Sequence, residues 1–257
     1  MIYMPELIRT LTVGADGQDI LSFNRAHLSG RDALGLLPQM FMLSLWNLSE
    51  SDYLMLSRAK KVTVRRENSV LAFGTVTDAH QEMTPDGLVT RVVFSSAIDL
   101  WESGVSLSLP AGASVSETVR ALLEANGTGL SLLAWMGEDP VFSRGQAFFG
   151  RAAECISSVL SAVHARGYLT ENGLGIVPDH PMSVSMILSS TDLIDAPSFA
   201  AGGLMILRTS VTGWPLGKQV RVQWDRKAVE GIIVERGVDA DNVQGKWEAE
   251  LLIEVVP

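Results

Sequence analysis

The chain is organised around residues 144–177, which read RGQAFFGRAAECISSVLSAVHARGYLTENGLGIV. Arg166 suits the negative end of a helix dipole, and Gly167 follows it as a residue that turns left-handed at no steric cost. Two short apolar runs then flank residues 171–173, Glu-Asn-Gly, which is a tight hairpin signal. The stretch therefore predicts one helix packed on a small hairpin. The apolar residues that recur at spacings of three and four, and so predict the buried stripe of that helix, are Ala152, Ala153, Ile156, Val159, Leu160 and Val163.

Composition and charge exclude several classes of protein. Of the 257 residues, 47% are hydrophobic and only 19% are charged, which predicts a well-buried core and argues against disorder. The length allows one large domain or two smaller ones. The net charge of −9, with a pI near 4.9, has the wrong sign for wrapping nucleic-acid phosphate. Arg65 and Arg66 lie beside a predicted turn, so we expect them at the solvated end of a hairpin.

The single cysteine, Cys155, falls inside the predicted helix and has no partner within the chain for a disulfide. No His or Cys spacing suggests zinc, so we expect Cys155 to be a small residue at the edge of the core. No apolar run of about 18 residues is free of charge, so we expect no transmembrane helix. The first six residues lack the basic lead and the apolar region of a secretory signal, which predicts a protein made and kept in the cytoplasm.

The sequence up to residue 48 predicts mainly strands. Alternating apolar residues predict strands over residues 5–13, ended by a turn at 14–17, and over residues 20–24. Residues 39–48 are apolar on both sides, which predicts a strand covered on two faces. Ser49 with Asp52 then predicts the cap of a short helical turn.

A hairpin and a further strand complete this part. Residues 61–64 and 70–77 predict the hairpin, with Gly74 at a bulge or a close backbone approach. Thr84-Pro85-Asp86-Gly87 predicts a turn into a strand over residues 89–95. We expect this β-rich part to close near residues 98–101.

The remaining sequence predicts a second helix and a second group of strands. Ser114 and Glu117 have capping-box spacing at the start of that helix, and Gly127 ends it after Asn126. Its buried stripe carries Val119, Leu122 and Leu123. Later segments alternate or run apolar and suggest a small barrel. They cover residues 204–207, 220–224, 229–235 and 247–256, with turns at 213–217 and 239–242.

We therefore predict an α+β fold that is mostly β, with two small tube-like β-barrels around a central helical and α+β segment. The first barrel would span residues 1–112, the middle segment residues 113–180, and the second barrel residues 181–257.

Residues able to carry chemistry do not form a recognisable site. The four histidines (His27, His80, His164 and His180) have no metal-ligand spacing; we expect His80 in a surface loop and His164 at a helix end. No nucleophile elbow or phosphate loop is present, since Ser143-Arg144-Gly145 lacks the leading glycine and Ala201-Gly202-Gly203 precedes a strand. The paired acids Glu138 with Asp139, and Asp239 with Asp241, lie in predicted loops without an aromatic platform. We predict that the chain is not an enzyme and has no catalytic, cofactor-binding or metal residues and no cofactor.

Three stretches resemble the central baseplate hub proteins of phage tails, the late-control-D-like family. The first is the hairpin with residues 71–76, Leu-Ala-Phe-Gly-Thr-Val. The second runs from Ser114 to Gly127, continues with residues 145–152 and ends with the hairpin that contains residues 173–176. The third is the closing pattern of residues 217–222, 234–237 and 245–251, of which the last reads Gly-Lys-Trp-Glu-Ala-Glu-Leu.

This resemblance implies a structural protein with two tube-like barrels in each subunit of a homotrimer. Six barrels would form a ring that matches a hexameric tail tube or its tube-initiator protein above, while the central spike lies below. The tape measure protein is a further partner. The resemblance implies no specific nucleic-acid recognition and no membrane span. It places the protein in the virion tail, at the baseplate, after assembly in the host cytoplasm. The low charge fraction suits large permanent interfaces, and an acidic lining would let DNA slide through a conduit.

Two other functions fit the same sequence. One is another ring component of the tail, a tube-initiator or distal tail protein, which the symmetry of the ring would separate from a hub. The other is a cell-wall-binding or cell-wall-degrading tail component, which aromatic residues exposed on a barrel face would favour. The tryptophans sit in apolar contexts, so we expect most of them to anchor the core: Trp46, Trp101, Trp135, Trp214, Trp224 and Trp247.

Overall fold

The computed structural model describes residues 9–20, 23–133, 135, 139–179, 183–211, 213–243 and 245–256. Strands dominate this part of the chain, which confirms the predicted α+β, mostly β class. None of the helices formed by these residues is long and apolar enough to cross a bilayer.

The elements are numbered in chain order. The first nine strands are β1 (Thr12–Ala15), β2 (Gln18–Ile20), β3 (Arg25–Ala33), β4 (Met40–Trp46), β5 (Lys61–Arg66), β6 (Ser69–Thr84), β7 (Gly87–Ser95), β8 (Gly104–Leu109) and β9 (Gln146–Arg151). The later strands are β10 (Ala165–Thr170), β11 (Gly173–Pro178), β12 (Met186–Leu188), β13 (Ser198–Ala200), β14 (Leu204–Ser210), β15 (Gln219–Trp224), β16 (Lys227–Asp241) and β17 (Trp247–Val255). The helices are α1 (Glu50–Arg58), α2 (Ile98–Glu102), α3 (Val115–Asn126) and α4 (Ala152–Ser161).

One large sheet joins the two ends of the chain. Within the described residues it has 13 strands in the order β13-β14-β17-β16-β3-β4-β7-β6-β5-β1-β2, with β15 pairing β16 and β12 pairing β15. The two halves meet where β16 runs antiparallel to β3, with Val238 opposite Gly30 and Arg236 opposite Asp32. We call this pairing the β3–β16 seam. The recorded pairings close neither half into a barrel, so the two-barrel arrangement stays a prediction.

Three apolar clusters lie along this architecture. The first fills the amino-terminal half and also takes Val238, Ala240 and Trp247 from the far end of the chain. The second lies between α3, α4 and the ribbon of β8 and β9, and the third fills the carboxy-terminal half around Val220 and Ile253. Apolar surface removed from water at these three places is the main force that holds the halves and the middle together.

The amino-terminal predictions are right about several elements and wrong about their limits. Residues 1–8 lie outside the described residues. β1 runs Thr12–Ala15, so the strand takes up the first half of the turn predicted at residues 14–17, and Asp16 and Gly17 form the turn. Of the strand predicted over residues 20–24, Ile20 belongs to β2, but Phe23 and Asn24 lie outside it, so the prediction was wrong for these two residues. The polar strand β3 was not predicted. The prediction that β4 is covered on two faces was wrong, because Met40 is 52% exposed and Met42 36%.

The predicted hairpin, turn and cap of this half are confirmed. β5 pairs β6 with Val64 opposite Ala72, and β6 continues well beyond the predicted end. A Cβ on Gly74 would lie 2.4 Å from the carbonyl oxygen of Ser95, which confirms the close backbone approach. Ser49 caps α1 by accepting a hydrogen bond from the amide of Asp52 at 3.2 Å. The strands that this part contributes to the large sheet end with β7 at Ser95, and residues 98–101 belong to α2, so the β-rich part closes near the predicted residues.

The central stretch contains the predicted helix and hairpin, but the junction between them differs. The five apolar residues from Ala152 to Leu160 are buried in α4, and β10 pairs β11 around Thr170 and Gly173. Arg166 and Gly167 were predicted to end the helix, and both belong to β10 instead. The left-handed residue after the helix is His164, with φ 51°. The strand β9, which precedes the helix, was not predicted.

In the carboxy-terminal half, the four predicted strands are present as β14 to β17. The turn predicted at residues 239–242 was wrong, because β16 extends to Asp241. Residues 201–203, which precede a strand as the sequence indicated, form the turn that connects β13 to β14. The capping box at the start of α3 is also confirmed, with Gly127 as a left-handed cap at φ 70°.

Candidate functional site

Most of the described histidines and paired acids form contacts within or between strands. His27 in β3 contacts Asp239 in β16 at 2.8 Å. His80 contacts Asp78 at 2.7 Å, and because both lie in β6, the surface-loop prediction for His80 was wrong. Asp239 and Asp241 lie in a strand rather than a loop, and Asp241 pairs with Arg25 across the β3–β16 seam. His180 and Glu138 lie outside the described residues.

Asp139 serves helix α3. Its carboxylate accepts hydrogen bonds from the amide of Ser116 at 2.8 Å and from the Ser116 hydroxyl at 2.6 Å. Partial burial would raise the pKa of Asp139, but the hydrogen bonds from Ser116 and Ser114 outweigh it and lower that pKa. A carboxylate at this position also suits the positive end of the helix dipole.

Cys155 is partly buried in α4 and packs against the middle cluster, which confirms the prediction of a core-edge residue. Burial and the neighbouring Glu154 raise the pKa of its thiol, so the reactive thiolate is disfavoured. Across the described ranges, no group of three or more His, Cys, Asp or Glu side chains could hold a metal ion. That the chain is not an enzyme stays a prediction.

A cleft opens where all three parts of the chain meet. Its volume is about 360 Å³, and we call it the junction cleft. The β5–β6 turn, the β10–β11 hairpin and the loop before β15 form its walls. Its lining residues are Asp32, Asn68, Ser69, Val70, Phe73, Tyr168, Leu169, Thr170, Glu171, Asn172, Gly213, Trp214, Pro215, Leu216 and Arg236.

A buried ion pair forms the floor of the junction cleft. Arg236, 7% exposed, donates to both carboxylate oxygens of Asp32, 6% exposed, at 3.0 and 2.5 Å. Arg236 also donates to the carbonyl oxygens of Val70 at 3.3 Å and Trp214 at 3.1 Å, so it ties three segments together. Burial raises the pKa of Asp32 against the attraction of Arg236, and burial also raises the pKa of Tyr168.

Arg65 and Arg66 lie at the predicted hairpin end, but both are only partly exposed and have structural contacts, so the prediction that they are solvated was wrong. Arg65 pairs with Glu171 at 2.5 Å, which connects β5 to the β10–β11 hairpin. Arg66 donates to the carbonyl oxygen of Val211 and lies 5.8 Å from the ring centre of Trp247. Trp247 is buried, and the other five tryptophans are partly buried, in keeping with the expected anchoring role.

Two sheet edges are open to solvent. β5 accompanies β6 only as far as Thr75, so residues 77–84 of β6 have a described strand partner on one side alone, which is β7. β8 and β9 pair only with each other in the described chain and form a two-stranded ribbon. On the outer face of this ribbon Phe149 is 89% exposed. Open edges and exposed aromatic rings are the features by which protein chains associate, so these surfaces are the candidate site.

The sequence indicates the ribbon and the junction cleft to different degrees. The Phe148-Phe149 pair was visible in the sequence, but its two rings could be assigned to opposite faces only once residues 146–151 were known to be a strand. The junction cleft depends on pairings between residues about 200 positions apart, and no local pattern could have predicted it.

No protein-family model matches the chain, and no curated protein matches it in sequence. Solved structures do match in fold. A tail protein from Neisseria meningitidis MC58 superposes with a TM-score of 0.69 at 10% identity, over 95% of each chain. A tail protein of prophage MuSo2 from Shewanella oneidensis superposes with a TM-score of 0.68 at 10% identity, over 97% of this chain and 99% of the other.

A third match is a component of the Escherichia coli type VI secretion system that is structurally similar to the T4 bacteriophage tail proteins gp27 and gp5. It superposes with a TM-score of 0.64 at 12% identity, over 95% of this chain and 77% of the other. At these identities the likeness is one of fold. The resemblance to phage tail proteins is therefore confirmed at the level of the fold, over nearly the whole chain.

Proposed function

We propose that the chain is a structural hub protein of a phage tail baseplate, which forms a homotrimeric ring between the hexameric tail tube and the trimeric central spike. The observation that carries the proposal is the fold that it shares with phage tail proteins over at least 95% of both chains. Its role is geometric rather than catalytic. It is assembled in the host cytoplasm and resides in the virion tail.

A ring of this kind needs each copy to contribute two similar units. In this proposal the units are tube-like barrels of residues 1–112 and 181–257, with residues 113–180 between them. Seven strands of the large sheet, β1 to β7, come from the first part and six, β12 to β17, from the last. Each group has its own apolar cluster. Three copies would then present six units to the tail tube or to its tube-initiator protein. The three-fold axis of the ring would match the trimeric spike. The tape measure protein is a further proposed partner.

The exposed surface supports permanent association. Met40 and Met42 lie on the outer face of β4, and residues 77–84 of β6 leave a strand edge open to solvent. Pairing of such an edge with a neighbouring copy satisfies its backbone groups and protects it from aggregation. Exposed apolar side chains such as those of Met40 and Met42 are typical of surfaces that become buried in obligate assemblies.

Mass photometry of the purified protein tests the proposal. We expect a species of three times 27.7 kDa, which binds the spike and tube proteins of the same tail. A species of six copies would favour a tube-initiator or distal tail ring instead. A protein that stays monomeric, and still fails to form a ring when mixed with tube and spike proteins, would contradict a hub.

A further inference from the structure

The two β-rich halves of the chain repeat one arrangement of five antiparallel strands. In the amino-terminal half, β3 pairs with β4, and the meander β5-β6-β7 returns so that β7 pairs with β4. In the carboxy-terminal half, β13 pairs with β14, and the meander β15-β16-β17 returns so that β17 pairs with β14. The strands β3 to β7 therefore correspond, one by one, to β13 to β17.

The two longest strands match in detail, which fixes this correspondence residue by residue. β6 has 16 residues and β16 has 15, and each pairs through its first half with the preceding strand of its meander. Each also has a register shift against the following strand, at Thr77 in β6 and at Val234 in β16. When the two strands are aligned on these bulges, Gln81 corresponds to Val238.

Beyond the bulge, the two long strands differ in what covers them. Residues 235–241 of β16 pair with β3 in the β3–β16 seam, whereas residues 77–84 of β6 have no described strand on the corresponding side. β3 has a strand on each side, whereas β13 ends the described sheet and pairs with β14 alone. One chain therefore has two open edges, and they are the counterparts of the two strands that form the seam.

The backbone groups of the open β6 edge point in the direction that such a pairing needs. In the seam, the amide of Leu34 donates to the carbonyl oxygen of Val234 at 2.8 Å. Hydrogen-bonded pairs alternate along an antiparallel ladder, so the amide of Val238, four residues on, also points to β3. Its counterpart Gln81 therefore directs its amide to the open edge. The two-residue turn between β6 and β7 requires the same direction.

We propose that β13 of one copy pairs antiparallel with residues 77–84 of β6 in the next copy, as β3 pairs with β16 within each chain. This contact depends on the proposed trimeric ring and specifies how the ring closes. The two edges are unlike, so the contact runs head to tail and generates a ring when the rotation closes. Seams within chains and contacts between chains would then alternate around the ring, and neither edge would stay open.

The register of the contact follows from the seam. Gly30 and Phe199 have the same position in the repeat, because each lies opposite the second residue of the strand that follows it. In the seam, Val238 lies opposite Gly30. Its counterpart Gln81 would therefore lie opposite Phe199 of the neighbouring copy.

Two exposed apolar side chains lie where this contact would cover them. Phe199 is 60% exposed and Met83 is 77% exposed. Met83 follows Gln81 by two residues, so in this register it is the diagonal neighbour of Phe199 on the same face, within reach of a long side chain. A thioether beside an aromatic ring is a favourable contact. The proposed pairing therefore buries both side chains.

A disulfide cross-link tests the contact and its register. In a Cys155→Ala background, one chain carries His80→Cys and Ala200→Cys, because these exposed residues form the next pair in the register. Their counterparts in the seam do not exchange backbone hydrogen bonds, and the Cα atoms of such pairs lie about 4.5 Å apart, which a disulfide can span. Under mild oxidation we expect covalent dimers and trimers, and none from either single variant. Asp86→Cys with Ala200→Cys is the register control and should stay unlinked, because the exposed Asp86 lies beyond the end of β6.

A matched pair of substitutions tests the backbone bond itself. The amide of Phe199, like that of Gly30, points away from the following strand. Phe199→Pro removes both the ring and this amide, whereas Phe199→Ala removes the ring alone. We expect the proline trimers to dissociate at a concentration about tenfold higher than the alanine trimers. Both variants should keep the circular dichroism spectrum of the wild type, because β13 is exposed at the end of the sheet.

The possible outcomes separate this contact from the proposed function. If wild-type trimers form but the cross-link is absent or no stronger than in the Asp86 control, the contact is wrong and the proposed hub stands. Equal dissociation of the proline and alanine trimers would overturn the contact in the same way. If no ring forms, alone or with the tube and spike proteins, the proposed function fails and the contact fails with it.

Discussion

Asp139 stabilises the first turn of α3 through its two hydrogen bonds from Ser116, and this contribution depends on pH. Since the pKa of Asp139 is lowered in the folded state, the contribution is present above the unfolded value of about 3.9 and is lost as pH falls through the lower folded pKa. We expect Asp139→Ala to lower the free energy of unfolding at pH 7 by about 1 kcal/mol or less, because the carboxylate is partly solvated. The difference from wild type should shrink as pH falls below about 4. Urea unfolding at several pH values measures both effects. Glu124→Ala on the same helix is the control, and a matching pH dependence there would contradict this role.

Loss of the buried ion pair of Asp32 and Arg236 should lower the free energy of unfolding more than loss of Asp139. Asp32→Ala leaves the Arg236 guanidinium buried without its carboxylate, so we expect a loss of about 3–5 kcal/mol in the free energy of unfolding. The double variant Asp32→Leu with Arg236→Met removes both charges and should recover part of that loss. Recovery stays partial because the carbonyl oxygens of Val70 and Trp214 lose a donor. Denaturant titration compares the three proteins, and a double variant less stable than Asp32→Ala would contradict an ion-pair role.

The start of α3 and the buried ion pair differ in how far the sequence could predict them. The capping box of Ser114 and Glu117 is a local pattern, so it was predicted and is confirmed. Asp32 and Arg236 stand 204 positions apart, and each alone predicts a solvated charge. Only the pairing of β3 with β16 brings them together.

At the scale of elements, the sequence predicted strongly apolar segments and missed polar ones. The strand β3 places Ala26 and Leu28 inward and His27 and Ser29 outward, so its apolar positions are few and small. β3 is a regular strand because it pairs with β4 and β16 on its two sides. In the sequence, the alternation of apolar and polar residues that indicates a strand is weak when the apolar side chains are small. The junction between α4 and β10 was misplaced for a related reason. Gly167 was read as a left-handed cap, whereas it lies in β10 beside the side chains of Leu160 and Leu174.

The β3–β16 seam offers a matched pair of glycines for a test of strand packing. A Cβ on Gly30, at φ 154°, would lie 2.7 Å from the carbonyl oxygen of Met40 and 2.9 Å from Phe41 Cα. On Gly237, one register position away, the nearest atom would be 3.5 Å distant, in Arg31. We expect Gly30→Ala to lower the free energy of unfolding by about 3 kcal/mol, and Gly237→Ala to change it by less than about 0.5 kcal/mol. Thermal and urea unfolding measure both, and equal effects would show that the close approach of β3 to β4 at Gly30 does not stabilise the fold.

At the scale of the whole molecule, the order of a β-rich part, a helical middle and a second β-rich part was predictable from local patterns. The joining of the two β-rich parts into one sheet was not. Sheet order depends on which edges meet after the chain has folded, and β3 meets β16 across some 200 residues. A surface formed between distant segments, such as the junction cleft, lies beyond local sequence patterns for the same reason.

The hydrogen bonds of the β6–β7 hairpin show which backbone groups of β6 are open to a neighbour. Thr84 and Gly87 face each other across a two-residue turn, so this pair exchanges hydrogen bonds within the hairpin. Antiparallel pairs alternate, so Glu82 and His80 also bond to β7, whereas the amide groups of Gln81 and Ala79 point to the open edge. Among the described residues, every second residue of this segment therefore has a backbone donor and acceptor without a strand partner, to which a strand of another copy can bond.

Proline substitutions on this edge separate assembly from folding. Gln81→Pro removes an outward amide that β7 does not use, so we expect the hairpin to fold with at most about 1 kcal/mol lost, while trimers dissociate at low concentration. His80→Pro removes an amide that bonds to β7 and should lower the free energy of unfolding by about 1–3 kcal/mol, because the carbonyl of Arg91 loses its donor. Urea unfolding with mass photometry of each variant distinguishes the two effects. We infer that strands of neighbouring copies add to this edge. A Gln81→Pro protein that remains fully trimeric at the concentration where wild type begins to dissociate would place the ring contacts on other surfaces.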